Sequence, residues 1–299
     1  MRNPVLHLLL LSLAGFSSDA FSNDAVDAPS ISLGGVYSDR SGNYDSSTYS
    51  VSGTLTTPIP NFDHIGIRAA LARAYDNTTD NSHFNTRSDL TTGNLNVVFR
   101  DSNIGGILAG YDYAHIEART KFPTLWNLHP ISYTLNTATK TIKGEYYLDQ
   151  ITLSGRLADS DGSTLDIARQ GIAATWYPKE NHALKLAVDH LHINPDFTSS
   201  FNNTTYAITT ESQPDFLIKK GNIRFGYAWD LQSSNKEISI GGDYYFSNFE
   251  LMKSTPVIGL TATHNTSGIN IVSLGFGFKF DNSVSLKDRD RKYLFSPNL

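Results

Sequence analysis

The sequence predicts an all-β protein, a transmembrane antiparallel up-and-down β-barrel of about twelve strands. Three observations carry that expectation. Apolar and polar side chains alternate with a period of two along most of residues 21–280, long polar connections alternate with tight ones, and charges gather on the face opposite the apolar one. In a pleated strand successive side chains point to opposite faces, so this pattern makes a sheet that is greasy on one side and polar on the other.

The first segment stands apart. Arg2 is followed by the apolar run Val5 to Phe16 (VLHLLLLSLAGF) and then by small residues around Ser18-Asp19-Ala20. This is the layout of a secretory signal peptide, with cleavage expected after Ala20. A run this short does not cross ~30 Å of hydrocarbon as a helix. The expected division is therefore 1–20 signal peptide, 21–280 barrel, and 281–299 a charged, solvated periplasmic tail containing Lys287-Asp288-Arg289-Asp290-Arg291-Lys292. Cysteine is absent, so an exported chain of this length relies on its hydrogen-bond ladder rather than on disulfides. A net charge of −5 argues against a nucleic-acid partner, which needs a basic face.

The clearest strand is the last. Val272, Leu274, Phe276, Phe278 and Phe280 alternate with Ser273, Gly275, Gly277 and Lys279. The stretches 94–100, 150–158, 222–229 and 238–246 behave likewise. Between such segments, 38–47, 76–89, 117–138, 159–165, 194–235 and 264–268 are polar connections of the longer set. Those at 58–61, 100–103, 148–149, 178–181 and 247–254 are tight or nearly so. Long outer loops alternating with short periplasmic turns are the pattern of outer-membrane barrels. These connections delimit twelve strands and put both termini on one side. Fourteen is the alternative, reached if the alternating stretches 204–210 and 222–229 inside the long segment 194–235 both cross; otherwise they form an external hairpin or a plug.

Aromatics sit at strand ends (Tyr75, Phe99, Tyr113, Tyr146, Trp176, Tyr244, Phe246, Phe280), as in the girdles at the two membrane interfaces. On the opposite parity lie Arg68, Asp112, Lys143, Glu145, Arg156, Arg169, Lys185, Asp189, Lys220, Arg224, Asp243 and Lys279, the candidates for lining the lumen. A soluble barrel would fill that space with Val, Ile and Leu. The basic excess predicts a weak preference for anions if water fills the bore, whereas cross-strand pairing of long side chains would close it. Arg73 falls on the outward face, where it meets lipopolysaccharide phosphate or snorkels.

Several phrases together resemble the porin-like outer-membrane barrel proteins of proteobacteria: Phe99 to Gly105 (FRDSNIG), Gly144 to Tyr147 (GEYY) leading into Ile151 to Gly155 (ITLSG), Ala173 to Pro178 (AATWYP), Gly241 to Phe246 (GGDYYF) and Ser285 to Arg291 (SLKDRDR). The resemblance runs over most of residues 95–291 and implies a barrel of roughly twelve strands, with no catalytic residues and no ligand. Phe276, Phe278 and Phe280 also resemble the aromatic-ended last strand that the barrel-assembly machinery recognises, although here nineteen residues follow. The expected partners are outer-membrane lipid and lipopolysaccharide, with that machinery and periplasmic chaperones during biogenesis.

Enzymatic chemistry finds little support. His264 and Ser267 are spaced His-x-x-Ser within a turn-like HNTSG, not the His-x-Ser that would put both side chains on one face of a strand, as lipid-acting outer-membrane hydrolases do. His190 and His192 share the outward parity while Asp189 faces inward, so neither an acid–His pair nor a metal site is complete. Asp159 to Gly162 (DSDG) lacks the later ligands of a calcium loop. No cofactor is implied. The sequence thus predicts a non-enzymatic porin-like barrel in the outer membrane, a passive channel for small solutes. A non-conducting structural or surface-interaction barrel is the second reading, and a lipid-acting hydrolase the third.

Overall fold

A computed structural model describes residues 30–41, 44–60, 62, 64–80, 85–101, 103–121, 131–162, 165–195, 200–214, 221–246 and 254–280, together with Ser285, Lys287, Asp288 and Arg291. The segment expected to be a signal peptide, Ser18 to Ala20 included, lies outside them, as does Lys220. Fourteen strands form one closed antiparallel barrel, each paired with its sequence neighbours and β1 with β14. They are β1 (Ser30–Ser41), β2 (Tyr44–Pro58), β3 (Ile65–Asp80), β4 (Asn85–Asp101), β5 (Gly105–Lys121), β6 (Ile131–Tyr147), β7 (Ile151–Gly162), β8 (Leu165–Lys179), β9 (His182–Pro195), β10 (Phe201–Ser212), β11 (Gly221–Asp230), β12 (Lys236–Tyr245), β13 (Ser254–Asn265) and β14 (Asn270–Phe280).

The strand number is therefore fourteen and not twelve. The expected long connection 194–235 contains β10 and β11, whose register runs from Thr205 opposite Asp230 to Ser212 opposite Ile223. The sequence signal was weak because β10 is mostly Asn and Thr at the end where it begins (FNNTTYAITTES), and polar outward residues there do not alternate in hydropathy.

Long strands also replace most of the expected long loops. β4, β5 and β6 have 17 residues each and take up much of 76–89 and 117–138. Each tight connection expected from sequence joins strands at the end of the barrel where β1 starts and β14 finishes, called here the terminal end; the opposite end is the far end.

The outer surface is an apolar belt. Leu71 is 70 % exposed and Ile172 68 %, in company with Val51, Leu95, Leu157, Ile238 and Phe276. Tyr75, Phe99, Tyr113, Tyr146, Trp176, Tyr244 and Phe246 are all exposed on the same face. Water would penalise such a surface at ~25 cal/mol per Å², whereas hydrocarbon does not. A sheet in hydrocarbon must also close, because an unpaired edge has no water to satisfy it. The closing seam runs from Gly34 opposite Gly277 to Ser41 opposite Asn270. At this seam the Phe276 ring lies on Gly35: a Cβ placed there would stand 2.8 Å from Cε1 and Cζ of the ring. Gly35→Val should therefore displace the ring and cost about 1–2 kcal/mol, seen as earlier heat unfolding of the barrel on SDS gels. Phe278 and Phe280 continue β14 opposite Pro256 and Ser254, but their side chains, like that of Lys279, lie outside the described residues.

Candidate functional site: the charged lumen and its two ends

Strand parity and register put Arg68, Asp112, Lys143, Glu145, Arg156, Arg169, Lys185, Asp189, Arg224 and Asp243 on the inner face. Of these, Arg68, Arg156 and Asp243 are buried. Two groups organise the belt. Across β7, β8 and β9, Asp189 accepts 2.7 Å hydrogen bonds from Arg156 Nη2 and Arg169 Nε on its two carboxylate oxygens. Across β11 and β12, Arg224 holds Asp243 in a two-pronged pair at 3.0 and 3.2 Å. Charge-assisted bonds of this kind are short and directional. Asp112 accepts from the Thr141 hydroxyl at 2.7 Å, and Glu145 from the Tyr147 hydroxyl at 3.1 Å.

Glycines make these pairs geometrically possible. Gly171 lies between Arg156 and Asp189 in the register, and a Cβ on it would stand 2.7 Å from Asp189 Oδ1. Gly259 does the same for Asp243, at 2.6 Å. A bare backbone lets a side chain fold across the neighbouring strand instead of rising into the bore. Gly171→Val should break the Arg156–Asp189 bond and cost about 2 kcal/mol in denaturant unfolding.

Several inner-face charges were missed in the sequence. Arg40 and Asp76 lay in expected loops, Arg100 in an expected turn, and Glu211 and Glu237 at the edges of unassigned or weakly apolar stretches. Once the strands are extended, parity alone places them. Asp76 accepts from Thr48 and Thr78 at 2.7 and 2.6 Å, and Glu211 from Asn222 at 2.5 Å.

The two ends of the lumen differ. Near the far end, Leu90, Ile116, Leu135 and Ile193 form a buried apolar cluster, with Tyr133, Ile167, Leu191 and Phe201 packed on it. It joins β4–β6 to β8–β10 above the short β7, whose last residue, Gly162, pairs with Thr137. At the terminal end two described residues of the tail, Lys287 and Arg291, contact the turns of the barrel. Arg291 donates to the carbonyl oxygens of Leu148, Asp149 and Ile151 in the β6–β7 turn and lies over the Tyr147 ring, 5.2 Å from its centroid. Its own carbonyl accepts from Arg100 and from the Tyr147 hydroxyl. The Lys287 amide reaches Glu180 O in the β8–β9 turn at 3.0 Å.

The enzymatic candidates do not assemble. His264 Nδ1 meets Asn270 at 2.7 Å, while Ser267 donates to Asn235 at 3.1 Å in the turn, so the two side chains do not pair. Among the described residues no group of three metal-ligating side chains converges. Arg73 faces outward and pairs with Asp89 at 2.6 Å.

Three solved β-barrel structures are similar to this chain over most of its length. A FadL homologue of Pseudomonas aeruginosa matches with a TM-score of 0.57 at 10 % identity, covering 89 % of this chain and 95 % of that one. The toluene transporter TbuX of Ralstonia pickettii matches with a TM-score of 0.57 at 8 % identity over 87 % and 90 % of the two chains. A variant of the monoaromatic hydrocarbon channel TodX matches with 0.54 at 10 % identity over 88 % and 90 %. The chain has the closed β-barrel fold of these three proteins. No protein-family model and no curated protein matches its sequence. At these identities the likeness is one of architecture.

Proposed function

We propose that this protein is a porin-like barrel of the Gram-negative outer membrane and acts as a passive channel for small solutes. The observation that carries the reading is the charged inner face inside an apolar belt. On the inner-face parity, the side chains of Asp189 and Arg224 remain 24 and 28 % exposed. Fourteen strands about 4.8 Å apart and tilted about 40° give a round section with a backbone radius of about 14 Å, before side chains narrow it. Because Asp189 and Asp243 compensate the arginines beside them, the anion preference expected from the sequence is reduced in this reading to a small one. Export by a signal peptide cleaved after Ala20, folding by the assembly machinery with chaperones, and a periplasmic terminal end complete the proposal.

The test is single-channel recording with purified protein in planar bilayers. Discrete steps with a reversal potential near zero in a salt gradient are expected. The apolar cluster at the far end and the contacts of Lys287 and Arg291 with the terminal-end turns favour a second reading, a non-conducting barrel that presents its far end to partners. A folded, membrane-inserted protein with no steps would select that reading.

A further inference from the structure

On the outer surface, where the apolar belt of β6–β9 gives way to polar residues, the wall carries a hollow of about 480 Å³. Its apolar lining is Ile142, Leu157, Ala158 and Ala168, its polar lining is Lys140, Asp159, Gln170, His190 and His192, and Arg169 reaches it from an inner-face position. Ala158 and Arg169 belong to the inner-face parity, so the hollow bites into the wall between β7 and β8. Its chemistry is two-sided: an apolar lining that continues downward into exposed Ile172 and Leu186, and a polar lining with more basic than acidic groups.

We propose that this hollow binds the phosphorylated headgroup of an outer-leaflet lipid, with Lys140 and His190 on the phosphate, His192 beside them at the edge, and the acyl chains along Ile142 and Leu157. The inference rests on the reading that the belt faces lipid. Both imidazoles are held in place from β10: His190 Nδ1 bonds Thr204 Oγ1 at 2.9 Å and His192 Nδ1 bonds Asn202 Oδ1 at 2.6 Å. The Thr204 hydroxyl can donate to His190 Nδ1, which leaves the His190 Nε2–H to donate to a phosphate, whereas His192 gives its Nδ1–H to the Asn202 amide oxygen and shapes the edge of the hollow. Lys140 stands opposite Asp159 in the register, yet no ion pair joins them among the described residues, which keeps the ammonium available. Arg169 is committed to Asp189 and adds its charge from beneath. A soluble anion would use the polar lining alone; the apolar lining at the belt's edge is what selects a lipid.

The experiment uses the full mature barrel in detergent, incubated with diphosphoryl lipid A and then analysed by native mass spectrometry. Wild type is expected to retain lipid A through activation. Lys140→Ala, and separately His190→Gln, should reduce retention about tenfold while heat-modifiability on SDS gels and conductance stay unchanged. Phosphatidylcholine should not be retained. Equal retention of lipid A by the variants, equal retention of phosphatidylcholine, or inorganic phosphate binding as tightly as lipid A would each overturn the proposal. A flotation assay with liposomes separates the two levels. Protein that fails to float denies the membrane reading itself, whereas protein that floats but binds lipid A regardless of Lys140 denies only this site.

Discussion

Asp189→Asn should destabilise the barrel by about 2–4 kcal/mol and shift its reversal potential towards anions. One carboxylate compensates two guanidinium groups, at 2.7 Å each, and the Arg156 side chain is only 7 % exposed. Removing one partner of a buried ion pair costs ~3–5 kcal/mol because the other charge is left in a poor solvent. Access of water to Arg169, at 38 % exposure, moderates the penalty here. The two readouts have one cause, since the uncompensated arginines both strain the fold and make the bore more positive. Urea unfolding in lipid gives the first and salt-gradient recordings the second. Asp189→Glu keeps the charge and should restore most of both. If the Asn variant matched wild type in stability and selectivity, the three-residue bridge would not be formed in the membrane.

Deleting residues 285–299 should raise single-channel conductance by about twofold or more, since flow follows the narrowest section. Arg291 contacts the β6–β7 turn and Lys287 the β8–β9 turn, both at the terminal mouth. The tail's hold is concentrated on one side chain. Arg291 takes backbone carbonyls of the β6–β7 turn and stacks on Tyr147, while its carbonyl receives the buried Arg100. Arg291→Ala should reproduce most of the effect of the deletion without shortening the chain. The folded fraction should hardly change, since the strand ladder does not depend on the tail. Equal conductance in all three proteins would mean that the tail lies clear of the solute path.

Architecture was legible in the sequence where the two faces of a strand differ in hydropathy. β14 and β12 alternate cleanly, and the terminal-end turns are marked by Pro58 to Asn61 and Pro178 to Asn181. β10 was ambiguous because Asn202, Thr204 and Thr210 face outward with polar side chains, so the period-two signal fades. The extensions of β4–β6 were illegible for a related reason. Outside an apolar solvent a strand needs no apolar face, and Asn85 to Asp89 has the composition of a loop while hydrogen-bonding as a strand. Parity carried the inner-face charges as far as the strands could be drawn. It could not foresee which charges meet, because Arg156 reaches Asp189 across an intervening strand. The glycine at position 171 is the one residue in the sequence that marks the crossing.

Under the proposed placement, those long strands have a consequence for how the cell surface would meet its surroundings. At about 3.3 Å per residue and a tilt of about 40°, seventeen residues climb about 43 Å, against an apolar band of about 25 Å. In the proposed outer-membrane placement the surplus would stand above the bilayer as a stiff, hydrogen-bonded palisade on the β4–β6 side and drop away at β7. Antibodies and phage fibres approaching from outside would meet a shaped rampart, and their epitopes would be conformational, vanishing when the protein is boiled.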